Sequence, residues 1–475
     1  MFDAEERYRV NAFDWQAEFP EAFKDRGFDA VIGNPPYVRQ ESLSAFKDYF
    51  SQHYEAFDGI ADLYAYFMEK GVKLLRDGGL FSIIVSSSFL RATYGEPLRR
   101  TLKKHAAVCR IVDFGGLPVF ANAKDTYVCI PLLAKGRQHE QVEVSKVTSL
   151  KDTDLSGYVV ANTLPIPHER LSPDAWSLKS DEETAVFTQV MELGKPLGEY
   201  TERRLFYGIK TGLNEAFVVD GETRRKLITQ DGRSKDLIHP VLGGEDIRRY
   251  AFRETGLWLI FTRRGVDIDR YPAIREHLMQ WKDDLMPKKD RSVKRGRKPG
   301  HYRWYEIQDD VAYYEVFNGP KIIFPDICKG PRFCIDTGRH YLANTAYCLG
   351  THDLYLLGVL NSRLFWFAIS NISIPFGVRA GQYRYRLIYQ CMEKVPIRVI
   401  DPASDNDRMR HNQIVKCVES MLQLHEALVS AKMPAERTSF ERQIAATDGE
   451  IDRLVYELCG LTEEENRIVE GATQG

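Results

Sequence analysis

Ile32-Gly33-Asn34-Pro35-Pro36-Tyr37-Val38 closes the apolar run Phe28-Asp29-Ala30-Val31, and its reading decides how the first part of the chain folds. Two successive prolines lack the amide donors that a helix or a central strand needs, so a strand must end here. Beyond the strand end a stiff turn holds an amide and a phenol ring in fixed places. A plain strand-ending turn is one reading. The other is a pocket for a planar amine, in which the Asn34 side-chain oxygen and the Pro35 carbonyl accept from an exocyclic amino group while Tyr37 stacks on the ring. On the second reading Asn34, Pro35, Pro36 and Tyr37 are the candidate catalytic residues.

Downstream, a polar stretch with Phe46, Tyr49, Phe50, Tyr54 and Phe57 reads either as a flap over a ligand or as amphipathic helix packing. From Ile60 to Leu75 the apolar residues Leu63, Tyr64, Phe67, Met68, Val72 and Leu75 recur at helical spacing, and Arg76-Asp77-Gly78-Gly79 reads as the stop. Leu80 to Val85 is a nearly continuous apolar run, the pattern of a strand buried on both faces. A helical stretch from Tyr94 to Ala107, a strand from Cys109 to Phe114, a Gly115-Gly116 turn and a strand from Thr126 to Leu133 come next. This alternation predicts an α/β doubly wound sheet.

Composition narrows the class. A chain of 475 residues with 44% hydrophobic and 28% charged residues is globular and long enough for two to four domains. No apolar run reaches the about 18 residues of a membrane helix, and the N-terminus lacks a signal pattern. The eight cysteines show no CxxC pair or metal spacing, so reduced thiols and a cytoplasmic location are expected. The net charge of −2 excludes an argument for nucleic-acid binding from the total. That case must rest on local patches.

The order of segments carries a resemblance. Asp62-Leu63-Tyr64-Ala65-Tyr66-Phe67-Met68-Glu69-Lys70, Leu74-Leu75-Arg76-Asp77-Gly78-Gly79-Leu80 and Pro118-Val119-Phe120-Ala121-Asn122 succeed the Asn34–Tyr37 motif. Over residues 10–137 this resembles the TaqI-like adenine-N6 DNA methyltransferases. The resemblance implies the C-terminal half of a Rossmann-like methyltransferase sheet and S-adenosyl-L-methionine as methyl donor. It implies that Phe120 closes on an extruded adenine opposite Tyr37 and that Phe67 lines the donor's adenine pocket. In that family a glycine-rich loop on strands before the motif holds the donor, and no such strands precede Asn34 here. The expectation is a partial catalytic domain with an open apolar edge at Phe28–Gly33 and weak donor binding. Its missing half would come from an N-terminal methyltransferase or nuclease-methyltransferase polypeptide.

Residues 138–199, punctuated by Pro165, Pro167 and Pro173, read as a linker with one helix from Asp181 to Leu193. Beyond them comes the most basic window of the chain: Lys288, Lys289, Arg291, Lys294, Arg295, Arg297, Lys298 and Arg303 against Asp290 alone. Tyr302, Trp304 and Tyr305 are interleaved. A solvated loop is one reading; phosphate neutralisation on double-stranded DNA fits the concentration of charge in a slightly acidic chain. Lys321-Ile322-Ile323-Phe324-Pro325, Pro331-Arg332-Phe333, Asn344-Thr345-Ala346-Tyr347, Leu356-Leu357-Gly358, Gly381-Gln382-Tyr383-Arg384-Tyr385 and Val395-Pro396-Ile397 then occur in order. Together they resemble the TaqI-like C-terminal specificity domain of type IIG restriction–modification enzymes, an α+β DNA-specificity domain over 200–400. Arg379, Gln382, Arg384 and Arg386 are then candidate base readers, since Arg suits guanine and Gln suits adenine. Residues 401–475 read as a C-terminal helical hairpin broken at Pro434, with Thr462 and Glu465 forming a capping box.

Two functions are compatible with these features. One is a site-specific adenine-N6 DNA methyltransferase of a restriction–modification or phage-defence system. The other is a catalytically incomplete, sequence-specific DNA-binding subunit. Methylation of a protein glutamine would use the same four residues, but the basic second domain argues against it.

Overall fold

β1 (Phe28–Gly33) stops where Asn34-Pro35 begins, because the proline ring replaces the amide that a further ladder bond would need. This is seen in a computed structural model that describes residues 13–120, 127–137, 139–151, 154–289, 295–373, 375–379 and 382–473, with backbone alone at 375–379 and Gln382. β1 pairs in parallel with β2 (Leu75–Ile83), Ala30 opposite Leu80 and Gly33 opposite Ile83. Between them α1 (Tyr64–Lys73) buries Tyr64, Ala65, Met68 and Val72, the stripe that a period of 3.6 residues generates. Gly71 lets α1 come down on the sheet: a Cβ there would lie 2.3 Å from Phe81 Cε2. Arg76-Asp77-Gly78-Gly79, expected to stop the helix, instead bulges from β2 between the pairs Phe28–Leu75 and Ala30–Leu80. The helix has already ended at Lys73.

β3 (Val85–Ser86), α2 (Glu96–His105), β4 (Ala106–Asp113) and β5 (Val128–Lys135) come next. β5 runs antiparallel to both β2 and β4, so the sheet is mixed. The segment 138–199, expected to be a linker, contributes two strands to it. β6 (Gln141–Lys146) lies parallel to β4, and β7 (Thr163–Pro167) lies antiparallel to β6. The order is β1-β2-β5-β4-β6-β7, with β3 on β5. Pro165 and Pro167 therefore sit on an edge strand, where a missing amide removes no ladder bond. β1 forms the other edge; β2 is its one partner among the described residues, and Ile32 is 86% exposed. Arg99 of α2 is buried and donates to the carbonyls of Phe89, Ala92 (2.9 Å), Pro173 (2.7 Å) and Asp174 (2.6 Å), which fastens 173–176 to the core.

The chain folds as two compact units. The first runs to Thr184 and includes Gly377–Tyr383; the second comprises Ala185–Phe376 and Arg384–Gly475. The second unit holds two four-stranded sheets. One orders Val218–Val219, Trp258–Ile260, Ile238–Leu242 and Tyr341–Leu342; the other orders Cys334–Asp336, Lys321–Pro325, Ala346–Leu349 and Leu205–Tyr207. The fully buried Lys321 ammonium pairs with Asp336 at 2.6 Å, and Asp336 also meets His340 Nδ1 at 3.0 Å. Helices Asp405–Ser430 and Pro434–Leu458 pack as the expected hairpin, with Ile414, Val418, Met421, Ile451, Leu454 and Leu458 buried. Pro434 opens the second helix, where its missing amide is harmless. Thr462 and Glu465 form the capping box, Glu465 Oε2 accepting from the Thr462 amide at 2.7 Å.

Candidate active site

The end of β1 is pinned from three sides. Gly33 O accepts from the Ile84 amide (3.1 Å), Val38 O accepts from the Leu63 amide (3.1 Å), and Asp62 accepts from the Gln40 amide (2.9 Å). Burial raises the Asp62 carboxyl, and the Gln40 amide only partly offsets it. Within this frame Pro35 is buried while Asn34, Pro36 and Tyr37 are exposed. The motif thus turns its amide and its phenol ring outward on a braced backbone.

The Tyr37 ring meets Phe120 edge-on, with centroids 5.6 Å apart and an interplanar angle of 69°. The phenol hydroxyl donates weakly to Ile84 O (3.4 Å). Burial, and secondarily Cys129, push its pKa up to about 12, so the ring is neutral. A base held between two rings would need about 7 Å, two contacts of about 3.5 Å. The pair as it stands is therefore closed on itself, and Phe120 must yield for a base to enter.

Phe120 stands on a turn built from the end of β4. Gly115 takes φ +52°, its amide donates to Asp113 Oδ1 (2.9 Å), and Leu117 and Val119 amides donate to Phe114 O (3.0 Å) and Leu117 O (2.8 Å). Burial raises the Asp113 carboxyl, and the Gly115 amide opposes that shift. Asp113 was not legible in the sequence, since nothing local distinguishes it from any polar residue ending a strand. Ala121 and Asn122 lie outside the described residues.

Phe67, named for the donor side, is 45% exposed on α1 and so is not a core residue. The aromatic segment after Tyr37 packs onto the same helix: Phe50 stacks on Tyr66 at 4.0 Å and Tyr54 meets it edge-on at 5.1 Å. Glu69, which the sequence did not single out, anchors that segment. Its buried carboxylate accepts from the Glu55 (3.2 Å) and Ala56 (2.7 Å) amides and pairs with Lys73 at 2.6 Å. These contacts are those of amphipathic packing against a helix.

In the second unit the basic window separates into different fates. Arg297 is 3% exposed, and its guanidinium donates to Leu285 O (2.8 Å), Thr211 O (2.7 Å) and Trp304 O (2.9 Å) while lying over Tyr302. Burial lowers its pKa to about 10. The expectation of a phosphate contact at Arg297 is thereby corrected, because its donors are spent on the fold. Arg295 is exposed but paired with Asp284 at 2.7 Å and Asp283 at 3.2 Å. Lys289, Lys298 and Arg303 are exposed, Lys288 is half-buried, and Arg303 donates to Tyr305 Oη (2.7 Å). Arg291 and Lys294 lie outside the described residues, as do the side chains of Arg379 and Gln382. Arg384 is half-buried, and Arg386 pairs with Asp326 at 2.6 Å.

Two segments of the chain match known families. Residues 2–120 match the Eco57I restriction-modification methylase family, and residues 239–397 match the TaqI-like C-terminal specificity domain. The type II methyltransferase M.BstVI of Geobacillus stearothermophilus is 25% identical across 90% of this chain and 76% of its own length. The type II restriction enzyme and methyltransferase RM.Eco57I of Escherichia coli is 24% identical across 98% of this chain, which spans only 48% of RM.Eco57I. The solved structure of the Type IIL restriction-modification enzyme MmeI in complex with DNA aligns with a TM-score of 0.58 at 14% identity, over 98% of this chain and 58% of that one. That likeness is one of fold.

Proposed function

We propose that this chain is a type II restriction–modification DNA methyltransferase, like the relatives it is similar to, and that it transfers a methyl group to N6 of an adenine rotated out of duplex DNA. The observation that carries this reading is the exposed Asn34 amide at a braced strand end, beside the Tyr37–Phe120 ring pair. Adenine N6 is unreachable inside a duplex, so the base must leave the stack at a cost of a few kcal/mol. Stacking on an aromatic ring returns about 1–3 kcal/mol per base. Tyr37 offers the fixed face, and the Phe120 side chain, turning on a backbone that stays in place, the movable one.

Asn34 Oδ1 and the Pro35 carbonyl then accept from the two N6 hydrogens. These bonds draw the nitrogen lone pair out of conjugation with the ring and aim it at the incoming methyl group. The amino proton is lost once nitrogen is alkylated, so an acidic side chain as base is unnecessary. Pro36 keeps the backbone from relaxing away from this geometry. S-adenosyl-L-methionine supplies the methyl group when bound. Phe67, an exposed aromatic on α1, suits a purine ring and is the residue that would cover the donor's adenine. Among the described residues β1 pairs on one side alone, and the other side, with Ile32 in solvent, leaves room for a further strand to complete the donor side, from another segment or another polypeptide.

Recognition falls to the second unit. Lys288, Lys289, Lys298 and Arg303 are the residues we assign to phosphates, with Arg384 near them in role; phosphate contacts position, and base contacts specify. The relatives being methyltransferases, a subunit that only binds DNA is the less favoured reading.

The test is methyl transfer from labelled S-adenosyl-L-methionine to unmethylated plasmid DNA. Asn34→Ala and Tyr37→Ala should each lower the rate by about 100-fold or more while DNA binding persists. Wild-type activity in Asn34→Ala would refute the assignment.

A further inference from the structure

Tyr383 belongs to the first unit although its strand, Gln382–Arg386, continues into the second, where Tyr385 and Arg386 pair with Cys328 and Ile327. Its ring lies against two residues that flank the base site. It stacks on Tyr127, centroids 5.0 Å apart and planes within 10°. Its hydroxyl crowds Gly115 so closely that a Cβ added there would be 2.7 Å from it.

Those two contacts meet at one junction. Gly115 begins the turn that ends at Phe120. Tyr127 precedes β5, and its carbonyl accepts from the Ser87 amide (3.1 Å), three residues after the Ile84 carbonyl that receives the Tyr37 hydroxyl. The Phe114 amide donates to Val128 O (3.0 Å) and joins the two arms. One ring therefore bears on the backbone under Phe120 and on the backbone tied to Tyr37.

We infer that Tyr383 is a positioning residue for the base-stacking pair, its ring fixing the Gly115–Phe120 turn against Tyr127. This rests on the methyltransferase reading only for its kinetic consequence; the mechanical claim stands without it. The face of the ring holds Tyr127, and its edge, which stays in place without the hydroxyl, covers Gly115. A small shift of a reacting group costs on the order of 10- to 100-fold in rate. Tyr383 touches no reacting atom, so its loss acts on kcat and leaves DNA affinity unchanged.

The experiment uses the chain as it is, with three substitutions. Tyr383→Ala should lose hydrogen-exchange protection at the Leu117 and Val119 amides and lower kcat for plasmid methylation on the order of 10- to 100-fold, with unchanged DNA affinity. Tyr383→Phe keeps the ring and should retain both protection and rate. Gly115→Ala, already strained at φ +52°, should lose rate and regain only the part due to the clash when combined with Tyr383→Phe. The oxygen is then gone, and the next ring atom lies 3.4 Å away, ordinary contact. Wild-type protection in Tyr383→Ala, or a Phe variant as damaged as the Ala variant, would overturn the inference. An active Asn34→Ala would instead sink the proposed chemistry while leaving the exchange result to decide the role of Tyr383.

Discussion

Asn34 and Arg297 were both marked by the sequence, one by a four-residue motif and one by a run of positive charge, and the fold treats them in opposite ways. Asn34 is held outward by prolines and by three hydrogen bonds on the flanking backbone at Gly33, Val38 and Gln40, the last accepted by the Asp62 carboxylate. Arg297 is drawn inward by carbonyls of Leu285, Thr211 and Trp304, two of them close in sequence and one 86 residues away. The difference teaches where a sequence can be trusted. A proline fixes the backbone from its own chemistry, so its consequence is local and visible. A long flexible side chain goes wherever unmatched acceptors need it, and those lie elsewhere in the chain.

The largest effect should fall on the inward member of the pair. Arg297→Ala strands the carbonyls of Leu285, Thr211 and Trp304. It should destabilise the second unit by about 3 kcal/mol or more, seen as a lower urea midpoint. Asn34→Ala should change the stability by no more than about 0.5 kcal/mol, as surface changes do. If the two cost the same, the contrast between these residues fails. A smaller effect separates Arg297 from its exposed neighbours. Lys289→Ala and Lys298→Ala should each reduce the salt dependence of DNA affinity by about one unit of slope and leave the urea midpoint alone. A slope equal to wild type in both would remove these lysines from the phosphate surface.

The buried Lys321–Asp336–His340 group extends the comparison to pH. Burial depresses the His340 imidazolium, but Asp336 and Glu254 together raise its pKa above the ordinary value. A raised histidine contributes stability that is complete below the unfolded value of about 6.5 and is lost as pH rises through the folded value. Burial acts to raise Asp336, yet His340 and Lys321 hold it below its usual range, so its own contribution is lost only in acid. The melting temperature should therefore decline from about pH 6.5 upward, and His340→Gln should flatten that decline. An equally steep decline in the variant would place the titrating group elsewhere. The smallest effect belongs to Tyr37→Phe, which removes a 3.4 Å hydrogen bond and keeps the ring. It should cost no more than about 0.5 kcal/mol in either stability or transition-state binding.

Much of the first unit was legible because apolar periodicity marks buried faces directly. Strands form at Phe28–Gly33, Leu75–Ile83, Ala106–Asp113 and Val128–Lys135 and helices at Tyr64–Lys73 and Glu96–His105, close to where the pattern puts them. The bulge at Arg76–Gly79 was not, since a glycine pair signals a break without saying whether a helix or a strand is broken. β6 and β7 were missed because Pro165 and Pro167 argue against a strand unless it is an edge, and edge position is a property of the sheet. At the site, Asn34, Tyr37 and Phe120 were visible, and the ring pair joins two of them. Asp113, Glu69 and Tyr383 were not, because each acts through partners that no local pattern reveals.

The central claim is that the Asn34–Tyr37 turn receives the amino group of adenine. It is tested most directly by identifying the methylated nucleoside in DNA treated with the chain and S-adenosyl-L-methionine, by digestion to nucleosides and mass spectrometry. N6-methyladenine that vanishes in Asn34→Ala is the predicted result. A methylated cytosine in its place, or N6-methyladenine that persists in Asn34→Ala, would contradict it.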